Sequence, residues 1–127
     1  MASELRVNTL KDASGNNSIG MSYVANGSAK AWIDFNGTGT IAARDSFNNS
    51  SLTDNTTGDY TISYTNSMGN ASYAGTGNQH NNYGTVAVPK EAQSLATGST
   101  RIQAVDTVSE VSYDSPYTHL VIMGDLA

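Results

Sequence analysis

The six residues Tyr60-Thr61-Ile62-Ser63-Tyr64-Thr65 alternate without a break, with Tyr60, Ile62 and Tyr64 on one side and Thr61, Ser63 and Thr65 on the other. A helix would scatter the three large side chains around its circumference, whereas a strand collects them on a single face. The pattern predicts an antiparallel strand half buried against a core. The preceding Asp54-Asn55-Thr56-Thr57-Gly58-Asp59 supplies its turn, since Asn, Asp and Gly tolerate the positive φ of tight reversals.

The same period returns in Lys30-Ala31-Trp32-Ile33-Asp34-Phe35, which sends Ala31, Ile33 and Phe35 one way and Lys30, Trp32 and Asp34 the other. Both faces carry something large. Ala31, Ile33 and Phe35 are assigned to the core, and Trp32 to a surface covered by a neighbouring subunit or by the N-terminal segment. Further strands are expected over residues 40–47, 85–88, 100–111 and 117–123, with turns at 48–51 and 113–116. Residues 74–84 read as a loop with little to bury, and residues 90–96 hold the only helical taste, one turn at most. Short strands divided by turns about every 10 residues predict an all-β fold, an antiparallel β-sandwich or barrel-like domain. Composition agrees, because charged residues make up only 13% of the chain and the best helix formers are scarce.

At the N-terminal side Leu5, Val7 and Thr9 share a face, residues 12–17 form a turn, and Ile19, Met21 and Tyr23 repeat at period two. This reads as a hairpin or extended arm over residues 1–24, ahead of a β-sandwich domain over 25–127. A lone hairpin is marginal in water, so Leu5, Val7, Leu10 and Ile19, together with Trp32, are the candidate subunit-interface residues.

Several function classes drop out. The net charge is −5, and Arg6, Lys11, Lys30, Arg44, Lys90 and Arg101 form no cluster, so no nucleic-acid partner is expected. No run approaches the roughly 20 apolar residues of a membrane helix, and no charged-then-apolar leader opens the chain, so membrane insertion and a signal peptide are not expected. With no cysteine, disulfides and thiolate metal sites are excluded. His80 and His119 lie in unlike settings, and no G-x-S-x-G elbow occurs. Asp34, Asp45, Asp54, Asp59, Asp106, Glu110, Asp114 and Asp125 mostly fall in turns or on polar strand faces, where turn chemistry accounts for them. Asp54, Asn55 and Asp59 offer oxygens to a cation but lack the spacing of a calcium loop. No catalytic residue, metal or cofactor is assigned. Tyr73, Gln79, His80, Asn82 and Tyr83 are the candidate glycan contacts, because amides, an imidazole and tyrosines hydrogen-bond to hydroxyls and stack on sugar faces.

One resemblance spans most of the chain. Residues 29–40 (Ala-Lys-Ala-Trp-Ile-Asp-Phe-Asn-Gly-Thr-Gly-Thr), Arg44-Asp45-Ser46-Phe47-Asn48 and Thr53-Asp54-Asn55-Thr56-Thr57-Gly58-Asp59-Tyr60-Thr61-Ile62 are similar to a family of structural proteins of tailed bacteriophages, common in marine and cyanobacterial phages and labelled tail fibre or virion structural protein. Residues 5–15 resemble the arm that precedes the domain in that family, and residues 120–125 its closing strand. Residues 75–99 depart from the family by being longer and richer in Asn, and no binding residue is carried over. The resemblance implies a non-enzymatic virion component of the tail-fibre class. It implies a homotrimer, assembled in the host cytoplasm as a virion part; the arm is then expected to dock it to other virion proteins of the tail or capsid, and the glycan-contact residues named above make host-surface polysaccharide a further expected partner. A capsid decoration, cement or head-fibre protein is the alternative, and a small glycan depolymerase the third reading.

Overall fold

In chain order the elements are β1 (Thr9–Lys11), β2 (Ser18–Gly20), α1 (Met21–Gly27), β3 (Ala29–Asn36), β4 (Ala42–Phe47), β5 (Asn49–Thr56), β6 (Asp59–Tyr64), β7 (Ala74–Gln79), β8 (Gly84–Ala87), β9 (Leu95–Ala96), β10 (Ser99–Asp106) and β11 (Thr118–Met123). The computed structural model describes residues 3–80, 84–87 and 94–127. Among these described residues β1 and β2 pair only with each other, and the other nine strands form one antiparallel sheet in the order β4-β3-β11-β7-β8-β10-β6-β5, with β9 on β10. The domain is all-β and sandwich-like. One leaf is β4-β3-β11-β7 and the other β8-β10-β6-β5, and between β7 and β8 they touch in register at a single pair, Gly77 opposite Val86.

The expected alternation fills the space between the leaves. Ala31, Ile33 and Phe35 of β3 with Leu120 and Ile122 of β11 face Tyr60, Ile62 and Tyr64 of β6 with Ile102 and Ala104 of β10, and all are buried. Phe35 and Tyr60 meet edge to face across the core, with ring centroids 5.0 Å apart.

The leaves are closed on their far side by the chain itself. β4 and β5 stand at the two ends of the sheet order, yet only Asn48 separates them. Residues 48–51 are therefore not the expected turn; Asn48 alone makes the bend, with φ at 58°. Asn is among the few non-glycine residues that adopt this region readily. Its Nδ2 donates to Lys30 O at 2.9 Å and to Asn66 O at 3.0 Å, and its Oδ1 accepts from the Asn66 amide at 2.7 Å. The next residue continues the clamp, Asn49 Nδ2 donating to Trp32 O at 2.6 Å and to Phe47 O at 2.8 Å.

At the other end of the core the Tyr60 hydroxyl lies 2.7 Å from Asp114 Oδ1 and 3.0 Å from Gly37 O. Burial first, then the Asp114 carboxylate, pushes this hydroxyl above the ordinary tyrosine range, so it stays protonated and remains a donor. Asp114 Oδ1 also accepts from the Gly58 amide at 2.7 Å, tying the β5–β6 turn to residues 113–116. Gly37 has to be glycine, since a Cβ there would sit 2.4 Å from the Tyr60 hydroxyl oxygen.

Two other elements differ from expectation. Residues 74–84 are not a loop throughout: β7 pairs with β11 along six residues, from Ala74 opposite Met123 to Gln79 opposite Thr118. Its small side chains bury little, but Gly77 lets the backbones close up, because a Cβ there would lie 2.6 Å from His119 O. Met21 and Tyr23 belong to a helix, α1, rather than to a strand. Three residues at spacing two are too few to separate the two periods. β10 ends at Asp106, short of the expected Val111. The helical turn expected at 90–96 lies largely outside the described residues, and its described end is strand β9.

The hairpin turn between β1 and β2 is organised by Asp12. Its carboxylate accepts from Asn17 Nδ2 at 2.7 Å, from the Ser14 hydroxyl at 3.0 Å and from the Asn16 amide at 3.0 Å. The Asn17 bond most of all, with help from Ser14 and the backbone amides, holds its pKa below 3.8 despite an opposing desolvation effect. A depressed folded value means these bonds are complete above 3.8 and are lost as the pH falls through the lower folded value. Acid titration followed by NMR should move the Gly15 and Asn16 amides below pH 3.8 while those of β6 stay in place. In the core, Tyr60→Phe removes a buried donor, and a loss of about 1–3 kcal/mol is expected in chemical denaturation with an unchanged m-value.

Candidate functional site

Because β3 and β11 turn Ala31, Ile33, Phe35, Leu120 and Ile122 inward, their alternate residues cover the outer face of the first leaf. Register lines these up in rows across the strands. In one row Thr76, Val121, Trp32 and Phe47 stand side by side on β7, β11, β3 and β4. Phe47 is 52% exposed, Val121 37%, and Trp32 is half-buried. Met123, also exposed, flanks the row one step along β11. The result is a continuous apolar band on a face that the rest of the domain leaves open.

The neighbouring row is polar: Asn78, His119, Asp34 and Asp45 on the same four strands. Asp34 directly opposes Asp45, an arrangement that is unfavourable between like charges. A β-bulge resolves it. The pairing skips Arg44, which becomes the extra residue of β4 and turns its guanidinium to within 3.2 Å of Asp34 Oδ1. Arg44 also donates to Pro116 O, and its Cζ stands 4.2 Å from the centre of the Tyr117 ring. His80 packs edge-on against the same ring, with centroids 5.7 Å apart, while its backbone amide donates to Tyr117 O at 2.9 Å. His119 Nδ1 lies 3.6 Å from Asp34 Oδ1. A shallow groove of about 260 Å³, bordered by Thr76, Asn78, His119 and Val121, runs between β7 and β11 at the junction of the two rows.

The sequence-derived candidates fall in three places. Trp32 is on the apolar band. Leu5 is 80% exposed, Leu10 and Ile19 are also exposed, and Val7 is half-buried, all of them in the arm outside the nine-stranded sheet. The glycan candidates do not gather. Tyr73 is buried with its hydroxyl 2.9 Å from Ala96 O and 2.8 Å from Ser99 O, and Gln79 is buried with Nε2 donating to Val105 O at 2.9 Å. Neither side chain faces a ligand from solution. His80 remains at the surface, and Asn82 and Tyr83 lie outside the described residues. Asp59 is buried and gives both carboxylate oxygens to Arg101, at 2.8 and 2.7 Å, which takes them from any cation shared with Asp54. Among the described residues no three His, Asp or Glu side chains gather as a metal site.

Sequence reasoning missed the grouping of Arg44, Tyr117, His80 and His119. His119 was readable, because inward Leu120 and Ile122 force it outward; Arg44 was not, because a bulge has no signature in this alternation. Chemically the polar row with its neighbours Arg44, His80 and Tyr117 presents a guanidinium, two carboxylates, two imidazoles, an amide and a tyrosine ring, groups that bind hydroxyls and stack on flat apolar surfaces. In comparisons with protein-family models, curated proteins and solved structures, the chain matches none.

Arg44→Ala exposes the Asp34/Asp45 opposition and strips the cation from Tyr117. A loss of about 0.5–1 kcal/mol is expected in denaturant midpoints, and Asp34→Asn in the Arg44→Ala background should recover some of it.

Proposed function

We propose that this chain is a non-enzymatic structural component of a virion, of the tail-fibre class. In this reading it self-associates as a homotrimer and docks to the particle by its N-terminal arm. The apolar band of Val121, Trp32 and Phe47 carries the proposal. A cross-strand band of large apolar side chains on an open sheet face is more than scattered surface hydrophobicity, and such patches mark interaction surfaces. The likeness of residues 29–40, 44–48, 53–62 and 120–125 to fibre-type phage proteins supports the class, and the exposed apolar residues of the arm support a second docking element. Host-surface polysaccharide, as a further partner, would meet the polar row around Tyr117, which lies beside the band on the same face and stays accessible only if the band is covered without it.

Light scattering on the purified chain tests the assembly: about three times 13.3 kDa is expected, and a mass of a single chain would overturn it. Trp32→Ala should lower the oligomer mass at micromolar concentration while the strand signal in circular dichroism persists; unfolding without prior dissociation would count against the band as an interface. Antibody labelling of intact particles decides position, with label confined to the head replacing the fibre by a capsid decoration role.

A further inference from the structure

The closure of the sandwich at Asn48 leaves a gap. From that residue β4 and β5 diverge as the two arms of a V, β4 bonded only to β3 and β5 only to β6, so each keeps one unpaired edge among the described residues. Between them lies a cavity of about 280 Å³ with Ile33 at its base, Ile41 and Ala43 on one wall and Leu52 on the other. Ile41 and Leu52 pack against the core but remain partly exposed. Asn49 lines the cavity near its apex, and its Oδ1 is buried without a hydrogen-bond partner. The space is at or below the roughly 300–1,000 Å³ typical of small-molecule sites, it lies beside two unpaired strand edges, and Ser46, Ser50 and Ser51 also line it. It therefore suits a few side chains carried on an extended peptide.

Bulges restrict where such a peptide can pair. In β5 the register breaks between Asn49 and Ser51 and again between Asp54 and Thr56, leaving residues 51–54 as the regular stretch of free edge. The chain contains a segment of the matching kind. Residues 3–7 lie in no regular element, Leu5 and Val7 alternate with Glu4, Arg6 and Asn8, and Leu5 projects into solvent at 80% exposure. The geometry points to an exchange between copies: residues 5–8 of one chain add as a strand beside residues 51–54 of another, with Leu5 and Val7 over Ile33, Ile41 and Leu52. Main-chain hydrogen bonds supply affinity in this mode and the alternate side-chain pockets supply selectivity. It deepens the self-association proposed above and depends on it.

The absence of cysteine allows a direct trap. Arg6→Cys and Thr53→Cys both fall on exposed positions. In this pairing their Cα atoms come within the range of about 4.4–6.8 Å that a disulfide spans. Mixing the two single variants as full chains under mild oxidant should give at least tenfold more disulfide-linked heterodimer than mixing Arg6→Cys with Val108→Cys. Leu5→Asp with Val7→Asp, added to the Arg6→Cys chain, should abolish that heterodimer. Equal yields from the two mixtures while the parent still has an oligomer mass would overturn the exchange and leave the apolar band as the interface. A single-chain mass for the parent would overturn the self-association itself. An intrachain disulfide in the dilute Arg6→Cys/Thr53→Cys chain, without intermolecular product, would replace the second copy by the chain's own arm and overturn the proposal.

Discussion

The sandwich depends on one bend. Without Asn48, β4 and β5 would run on as a single long strand past the edge of the first leaf, and the leaves, joined at β7 and β8, would stay open on their far side. Asn48 takes the left-handed conformation and its side chain bonds to both leaves at once, to Lys30 O on β3 and to the backbone of Asn66 just beyond β6. Strands that switch leaves through such bends are how orthogonally closed sandwiches make their corners. Because Asn49 then fastens to Trp32 O, the register of β4 on β3 and of β5 on β6 is set within two consecutive residues. A one-residue slip of either strand would flip its inward set to solvent.

Much of this could be read from the sequence, and the reasons follow the chemistry. β3 and β6 announce themselves because large apolar side chains alternate with polar ones, and the same alternation named the core residues that the structure buries. β7 was hidden because Ala-Gly-Thr-Gly-Asn-Gln carries no apolar face; its place in the sheet comes from backbone pairing with β11 and from a glycine that admits a close neighbour. The corner was hidden because Asn-Asn-Ser-Ser looks like a reversal, whereas the structure uses only its first residue to bend and starts a strand with the second. Tyr73 and Gln79 were misplaced for the same reason as β7: their side chains resemble those of binding loops, but the fold turns them inward to carbonyls.

The outer face of the first leaf shows how one strand can serve two purposes. Phe35 belongs to the core and Trp32 to the opposite surface, and the apolar and polar rows that continue from β3 across β4 and β11 are separated by a single step of the pleat. The bulge at Arg44 keeps the rows distinct by giving Asp34 a cation locally, while Asp45 accepts from the Ser46 amide, so neither carboxylate has to reach into the apolar band for a partner.

The pairing of β3 with β11 has a mechanical consequence. Ala29, where the chain enters the sheet from the arm, lies opposite Met123, where it leaves the last strand. Tension applied between these two points would load the β3–β11 ladder end-on, and its hydrogen bonds would break in succession like the teeth of a zip. Tension entering through the arm and leaving through the outer face of the leaf would instead be shared by several strands in parallel. A domain of this connectivity resists pulling well only when its far anchor is its flank, so a load-bearing assembly would grip it by the sheet and not by the residues that follow β11.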